Sequence, residues 1–459
     1  MKPLSLTPFF LMIFLTASIF SQNTYDAVRI TDHQIGFGAR SIGMGGAYQA
    51  IADDYSAVYW NPAGLAQIRR MEFWLGISHN RFSNDIIYQE VASEASNTTT
   101  KFNSIGFVFP VPTYRGSLVF ALGYQKFKDF DYINKFTGLS SQGPAEGSSR
   151  LSFSGVDPNN PEEVYDFFGE PVQKTGFVTD EGSLEEWSAA GAVDVSPNIS
   201  LGASLIFNNG SSDYYDEFTQ LDNQYNFQIY PGDFNEYYEE RIISSKYSSF
   251  KMRLGSLFHF SRFIRVGLGM EIPQKINVKE DYLLDSNLLF DDGFEETFDE
   301  SDQDNTGTYE YDVTVPFRFS GGLALQLRNI LLSGGIEYID WTQLEFDSGE
   351  LTSLNRYFDS DYRETFKLRV GGELSIPLIA SQFRAGLIYD PCPEKNLSED
   401  YDRKYVSVGY GILVDRIFQL DLAYLVGFWK QTTYGELSPE GTAEDITYQN
   451  IMINISFRY

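Results

Sequence analysis

Six basic side chains, Lys251, Arg253, Arg318, Lys367, Arg369 and Arg384, are the residues of this chain best suited to hold a ligand. Around them, charged and apolar residues alternate. Phe250, Met252 and Leu254 flank Lys251 and Arg253, and Phe366, Leu368 and Val370 flank Lys367 and Arg369. A period of two puts the cations on one face of a strand and the apolar residues on the other. A cation on such a shielded face can hold an acid head group through a charge-assisted hydrogen bond. Covalent chemistry is poorly served by comparison. The three histidines, His33, His79 and His259, are widely separated, and no GxSxG or HExxH pattern accompanies them. The glycines near Gly36 and Gly43 follow no apolar strand that would complete a dinucleotide fingerprint. No enzyme activity and no cofactor are expected.

The elements that position these cations are strands. Alternation and breaker residues mark fourteen of them between Met71 and Tyr459. The links at 112–115, 196–198, 261–263, 328–329, 377–379 and 415–417 are short, and the intervening links read as long. Tight turns at one end and extended loops at the other are the pattern of a transmembrane antiparallel β-barrel. Aromatic residues make up 16% of the chain, with 30 Tyr and 38 Phe, which suits outward aromatic girdles. In the last strand Ile451, Ile453, Ile455 and Phe457 alternate with Asn454, Ser456 and Arg458, so the first set faces lipid. A charge on the lipid face costs about 2–4 kcal/mol near the midplane, so the six cations should point into the lumen.

Ahead of the strands, residues 1–21 carry an apolar run ending in small and polar residues, which reads as a secretory signal. Residues 22–70 follow as a compact hatch, rich in small residues over 36–66, and residues 71–459 as the barrel. The single cysteine, Cys392, has no intramolecular partner and reads as an inert loop thiol. A formal charge of −29 disfavours nucleic acid. The stretch 281–312 holds twelve carboxylates and no Lys or Arg, yet Val313 stands where a calcium loop needs its bidentate Glu, so no metal is expected.

The run Gly43-Met44-Gly45-Gly46-Ala47, then Ala50-Ile51-Ala52-Asp53-Asp54, then Asn61-Pro62-Ala63-Gly64-Leu65, resembles the N-terminal hatch of the FadL/OMPP1/TodX family of outer-membrane transporters for hydrophobic compounds. PorV-like barrels, partners in type IX protein secretion, carry a similar hatch. The stretches 336–341, 366–372 and 383–391 are similar to strand motifs of the transporter family, and the terminal Phe457-Arg458-Tyr459 resembles the signal read by the barrel assembly machinery.

The resemblance implies capture of a fatty acid or aromatic hydrocarbon by the outer loops and passive passage into the lumen. Release would go sideways through the wall, where the third strand kinks beside Asn61, Pro62, Ala63 and Gly64. Gly116 and Gly123 are the kink candidates on that strand. Family members often insert a phenylalanine near the mature N-terminus; here Tyr25 is the candidate for that contact. Aromatics in 128–183 (Phe136, Phe153, Tyr165, Phe167, Phe168, Phe177) and in 209–246 (Tyr214, Tyr215, Phe218, Tyr225, Phe227, Tyr230) would form the capture surface. The expected setting is the outer membrane of a Gram-negative bacterium, as a monomer among lipid and lipopolysaccharide. A transporter should show an apolar tunnel past Asn61, whereas a structural or secretion partner should show a filled lumen.

Overall fold

Fourteen antiparallel strands close into a barrel, the last pairing with the first. In this computed structural model residues 24–140, 154–156, 164–166, 171–227, 234–298, 305–347, 349–415, 417–435 and 438–459 are described. The first strands are β1 (Glu72–Tyr88), β2 (Val91–Val111), β3 (Leu118–Asp129 continued by Tyr132–Ser140), β4 (Val172–Ser196), β5 (Ile199–Leu221) and β6 (Phe234–His259). They are followed by β7 (Ile264–Glu271 continued by Gln274–Phe290), β8 (Thr306–Val315 continued by Arg318–Leu327), β9 (Ile330–Asp340) and β10 (Glu364–Ile376). The set ends with β11 (Ser381–Asp390), β12 (Arg403–Val414), β13 (Phe418–Thr433) and β14 (Thr442–Arg458). Closure leaves no sheet edge in hydrocarbon between β14 and β1, where Met71 and Tyr459 exchange two backbone hydrogen bonds of 3.1 and 2.9 Å.

Alternation sorts side chains between lipid and lumen as the sequence implies. On β10, Phe366, Leu368 and Val370 are exposed while Lys367, Arg369 and Glu373 are buried. Outward aromatics align across neighbouring strands. Tyr124, Trp187, Phe207 and Phe250 pair in register from β3 to β6 toward the long-loop end. Phe418, Phe457, Phe73 and Phe107 do the same from β13 to β2 near the short turns. Two such rows are the interfacial girdles of a membrane barrel.

Among the described residues the short turns form where expected, but the far end differs. The stretch between β1 and β2 is no loop. The two strands run on as a hairpin closed by Gln89 and Glu90, whose φ values of 46° and 65° match the twist of a paired ribbon. β4, β5 and β6 reach 25, 23 and 26 residues, where about 9–11 suffice to cross a bilayer, so a good half of each projects outward. Out there water replaces lipid, and the apolar alternation that marks a strand fades. Phe136, Phe218 and Phe227, expected on a capture surface, are buried with Ile86, Tyr88 and Val172 as the core of this projecting sheet. Tyr225 remains exposed, Phe177 and Tyr215 meet at 6.3 Å, Tyr165 belongs to the short strand Val164–Asp166, and Phe153, Phe167, Phe168 and Tyr230 lie outside the described residues.

Pro273 and Pro316 interrupt β7 and β8 at one level, between the pairs Glu271–Arg318 and Gln274–Val315, because neither proline has an N–H for the ladder. The lumen at and below that level is filled by the N-terminal segment. It runs through α1 (Thr24–Thr31), α2 (Ala39–Gly43), α3 (Ala57–Trp60) and a 3-10 turn (Pro62–Gln67), and the residues from Gly36 to Ala66 are almost all buried. Contact with the wall is backbone to backbone: a Cβ at Gly371 would lie 2.1 Å from the Met44 carbonyl oxygen, and one at Gly386 would lie 2.1 Å from the Gly45 nitrogen. Above α1, the link after β9 folds back as α4 (Asn355–Asp361), and Tyr362 donates a hydrogen bond to the Thr24 hydroxyl (3.3 Å). Cys392 lies in the outer link after β11, where burial pushes its thiol pKa above the ordinary value.

Candidate functional site

Asn61 organises the lower hatch. Its side-chain oxygen accepts from the Ala63 backbone N–H (3.1 Å) and caps the 3-10 turn that Pro62 begins. Its amide donates to the Gln49 carbonyl (2.8 Å) within the hatch and to the Ser256 carbonyl (3.1 Å) on β6. Gly64 lets the turn press onto Ala52, whose carbonyl oxygen would sit 2.1 Å from a Cβ there. The wall facing Asn61, Pro62 and Ala63 consists of Gly202, Gly255 and Gly267 on β5, β6 and β7. The expected neighbour, Gly123 on β3, instead faces Tyr55. Asn61 and Gly123 are therefore not brought together.

Every one of the six cations points inward, and every one is matched with a carboxylate. Lys251 and Arg253 share Glu186 (2.8 and 3.3 Å) and Glu271 (3.6 and 2.7 Å). Lys367 meets Asp390 (2.9 Å) and, with Arg403, Asp32 of the hatch. Arg384 bridges Glu373 (2.7 Å) and Asp421 (2.6 Å), and hatch Arg40 also reaches Glu373 (2.8 Å). Arg318 and Arg369 both bind Glu337, at 2.8 and 3.1 Å. Further bonds tie this network to the hatch backbone, from Arg253 to the Val58 carbonyl (3.2 Å), from Arg318 to the Thr31 carbonyl (3.1 Å) and from Lys367 to the Gln34 carbonyl (3.2 Å).

One stretch of wall is not zipped by backbone. The β2–β3 ladder runs from Val111–Leu118 to Ser104–Gln125 and stops, level with the outer aromatic row where Phe102 stacks on Tyr124 at 5.9 Å. Beyond it β2 stays paired with β1 and β3 with β4. The register of β3 against β4 slips between Lys126 and Lys128, the strand breaks at Phe130 and Asp131, and its outer half leans into the lumen. There Asn84 of β1 donates to the Ile133 carbonyl (3.0 Å), and Tyr132 donates to Glu444 of β14 (3.1 Å). Side chains alone bridge the resulting seam. Lys101 reaches Asp129 (3.0 Å) and Asp131 (2.8 Å), Thr99 donates to Asp131 (2.7 Å), and Asn103 donates to the Lys126 carbonyl (3.3 Å). The bend of β3 thus lies beyond Gly123. Gly116 sits in the turn that precedes the strand, with φ of 70°.

Beside the seam runs an inward apolar stripe. Phe82 of β1, Tyr405 of β12, Leu425 of β13, and Ile446 and Tyr448 of β14 cluster with Ile35 and Ile42 of the hatch, and Tyr132, Ile133 and Trp429 pack against them. Phe82 contacts Tyr132 and Trp429 edge to face at 5.7 and 6.4 Å. The core of this stripe is buried, so it is packed shut, and it does not pass Asn61. Tyr25, on the first turn of α1, is 41% exposed.

Sequence patterning misses Lys101 because it lies among polar residues that read as loop. The run Thr98-Thr99-Thr100-Lys101-Phe102 favours a strand by propensity but lacks the apolar alternation that marks the others. Tyr55, Gln125 and Glu337 are missed for another reason: nothing local marks a residue whose partner is far away in the chain.

No family model and no curated relative matches the sequence. Solved structures do. A FadL homologue from Pseudomonas aeruginosa superposes with a TM-score of 0.61 at 16% identity, covering 92% of this chain and 98% of that one. The Pseudomonas putida toluene transporter TodX gives 0.55 at 13% identity over 94% and 100% of the two chains. The Ralstonia pickettii toluene transporter TbuX gives 0.53 at 14% over 93% and 99%. These likenesses extend over hatch and barrel alike, and the chain has the FadL/TodX fold.

Proposed function

We propose that this chain is an outer-membrane transporter for passive uptake of hydrophobic molecules, released sideways through the β2–β3 seam. The observation that carries this reading is the ladder break at Ser104–Gln125: a wall held there by side chains alone, level with the outer aromatic row and next to an apolar luminal stripe. A lateral exit spares a greasy molecule exposure to water, worth about 25 cal/mol for each Å² of apolar surface. The toluene transporters among the structural neighbours support an uncharged aromatic or aliphatic ligand. The matching of Lys251, Arg253, Lys367 and Arg384 supports the same choice, since an acid head group at these cations must displace a carboxylate already in place. The hatch moves with release in this reading, Asn61–Gly64 holding it to the wall and Tyr25 meeting ligand near the outer mouth. The chain works as a monomer, cut after residue 21 and inserted by the barrel assembly machinery among lipid and lipopolysaccharide.

The packed lumen favours a second reading, a PorV-like structural or secretion partner, because such a role needs no path. Uptake of radiolabelled toluene and oleate by cells lacking endogenous carriers separates the two. In the double variant Thr99→Cys, Asp131→Cys, a short thiol cross-linker across the seam should abolish uptake. Folded barrel with no uptake above background, cross-linked or not, would leave the partner role.

A further inference from the structure

Two arginines share one carboxylate in the wall beside the hatch. Arg318 on β8 and Arg369 on β10 both bind Glu337 on β9, and no other carboxylate among the described residues pairs with either of them. Lys251 and Arg253, by contrast, are balanced by Glu186 and Glu271. The Arg318–Glu337–Arg369 group therefore carries one excess positive charge, within residues that are all at most about one-eighth exposed. It borders a chamber of about 40 Å³ between hatch and wall, lined also by Gln49, Gly46 and Ser320.

Three buried polar atoms around that chamber lack a hydrogen-bond partner among the described residues: Arg318 Nε, Arg369 Nε and Gln49 Nε2. All three are N–H donors. Of the carboxylates facing the same space, Glu337 is bound by both arginines and Glu271 by Arg253. A buried donor without a partner is costly, more so when charged, so three on residues lining one chamber call for an acceptor. Excess charge and unmet donors point to the same class of occupant.

From this we infer that the chamber is a binding site for a small free monovalent anion of halide size, held by Arg318, Arg369 and Gln49. The volume admits such an ion, since about 10–15 Å³ of free space of this kind already holds a water. Because Gln49 belongs to the hatch and the arginines to the wall, the anion bridges the two. This assignment is independent of the transport reading.

Crystals of the intact barrel soaked in sodium bromide test it by anomalous diffraction. The expected result is a bromide peak in contact with both arginine Nε atoms and Gln49 Nε2. The peak should be lost in Arg369→Gln, which removes the excess charge. Gln49→Leu, which leaves the ionic group intact, should weaken it, so a poorly folding arginine variant does not decide the matter. In solution, bromide should raise the melting temperature of the native protein relative to an equal ionic strength of a bulky organic anion, and not that of Gln49→Leu. Water alone in the chamber, or an identical bromide effect in both proteins, overturns the proposal. Displacement of the bromide by octanoate overturns the free-ion assignment in favour of a head group.

Discussion

The ring of Tyr55 occupies the space that a side chain at Gly123 would need: a Cβ there would lie 2.0 Å from the tyrosine oxygen. The hydroxyl donates to Gln125 two residues along the strand (2.8 Å), and the ring also fills the space above Gly106. Hatch and β3 are thereby joined just below the point where the β2–β3 ladder ends. Gly123→Val should expel the ring and cost about 1–3 kcal/mol, the usual penalty for overfilling a packed site. Tyr55→Phe keeps the packing and loses one hydrogen bond, about 1 kcal/mol. Thermal unfolding of the detergent-solubilised barrel, with protease sensitivity of the hatch, should rank Gly123→Val as the more damaging change.

The seam yields a prediction of opposite sign. Lys101 is about one-fifth exposed and holds Asp129 and Asp131 across a gap with no backbone pairing. A partly exposed ion pair is worth about 1 kcal/mol or less. Lys101→Met should therefore leave melting almost unchanged while loosening the exit, with a rise of up to about fivefold in toluene uptake. The gain should vanish when the Thr99–Asp131 positions are cross-linked. Unchanged uptake in Lys101→Met would mean that the seam does not limit passage.

Asn61 tests how the hatch is fastened. Its amide donates to two carbonyls, Gln49 and Ser256, and its oxygen caps the turn at Ala63. Asn61→Ala strips both carbonyls of their donor and removes the cap, for a loss of about 1–3 kcal/mol from the buried groups and about 1 kcal/mol from the cap. Asn61→Asp is nearly isosteric, yet it places an acceptor against two acceptors. It should unfold at a lower temperature than Asn61→Ala, an ordering that volume alone would reverse.

These residues also show how far a sequence speaks for this architecture. The strands and short turns were legible because lipid on one side imposes a strict apolar alternation, as at Phe366, Leu368 and Val370. Inward placement of the six cations followed from the same constraint. Past the outer aromatic row, that constraint lapses. β1 and β2 continue to Gln89 and Glu90 on polar residues, and only their mutual pairing reveals them as strands. Partner choice was equally hidden. Nothing around Arg318 or Arg369 announces that both will close on Glu337, because that depends on strand register across β8, β9 and β10. The hatch motif marked Asn61 but not its wall contact, which falls on β6 and not on the third strand.

Ligand charge can be decided by changing the wall instead of the ligand alone. Lys367 is held by Asp390 at 2.9 Å and lies 3.8 Å from Asp32, which it shares with Arg403. While Asp390 is present, a carboxylic acid entering the lumen finds this cation neutralised, and oleyl alcohol should be taken up at least as fast as oleate. Asp390→Asn removes the nearer carboxylate and keeps the shape. Breaking a buried pair costs about 3–5 kcal/mol, so the variant should melt lower. It should also leave Lys367 under-matched, and oleate is the ligand that gains from that. The expected result is a rise in oleate uptake relative to oleyl alcohol in Asp390→Asn, measured in the same cells with barrel content normalised. An unchanged ratio would show that neither ligand comes within reach of Lys367, and would place the path nearer Phe82 and Tyr448 on β1 and β14.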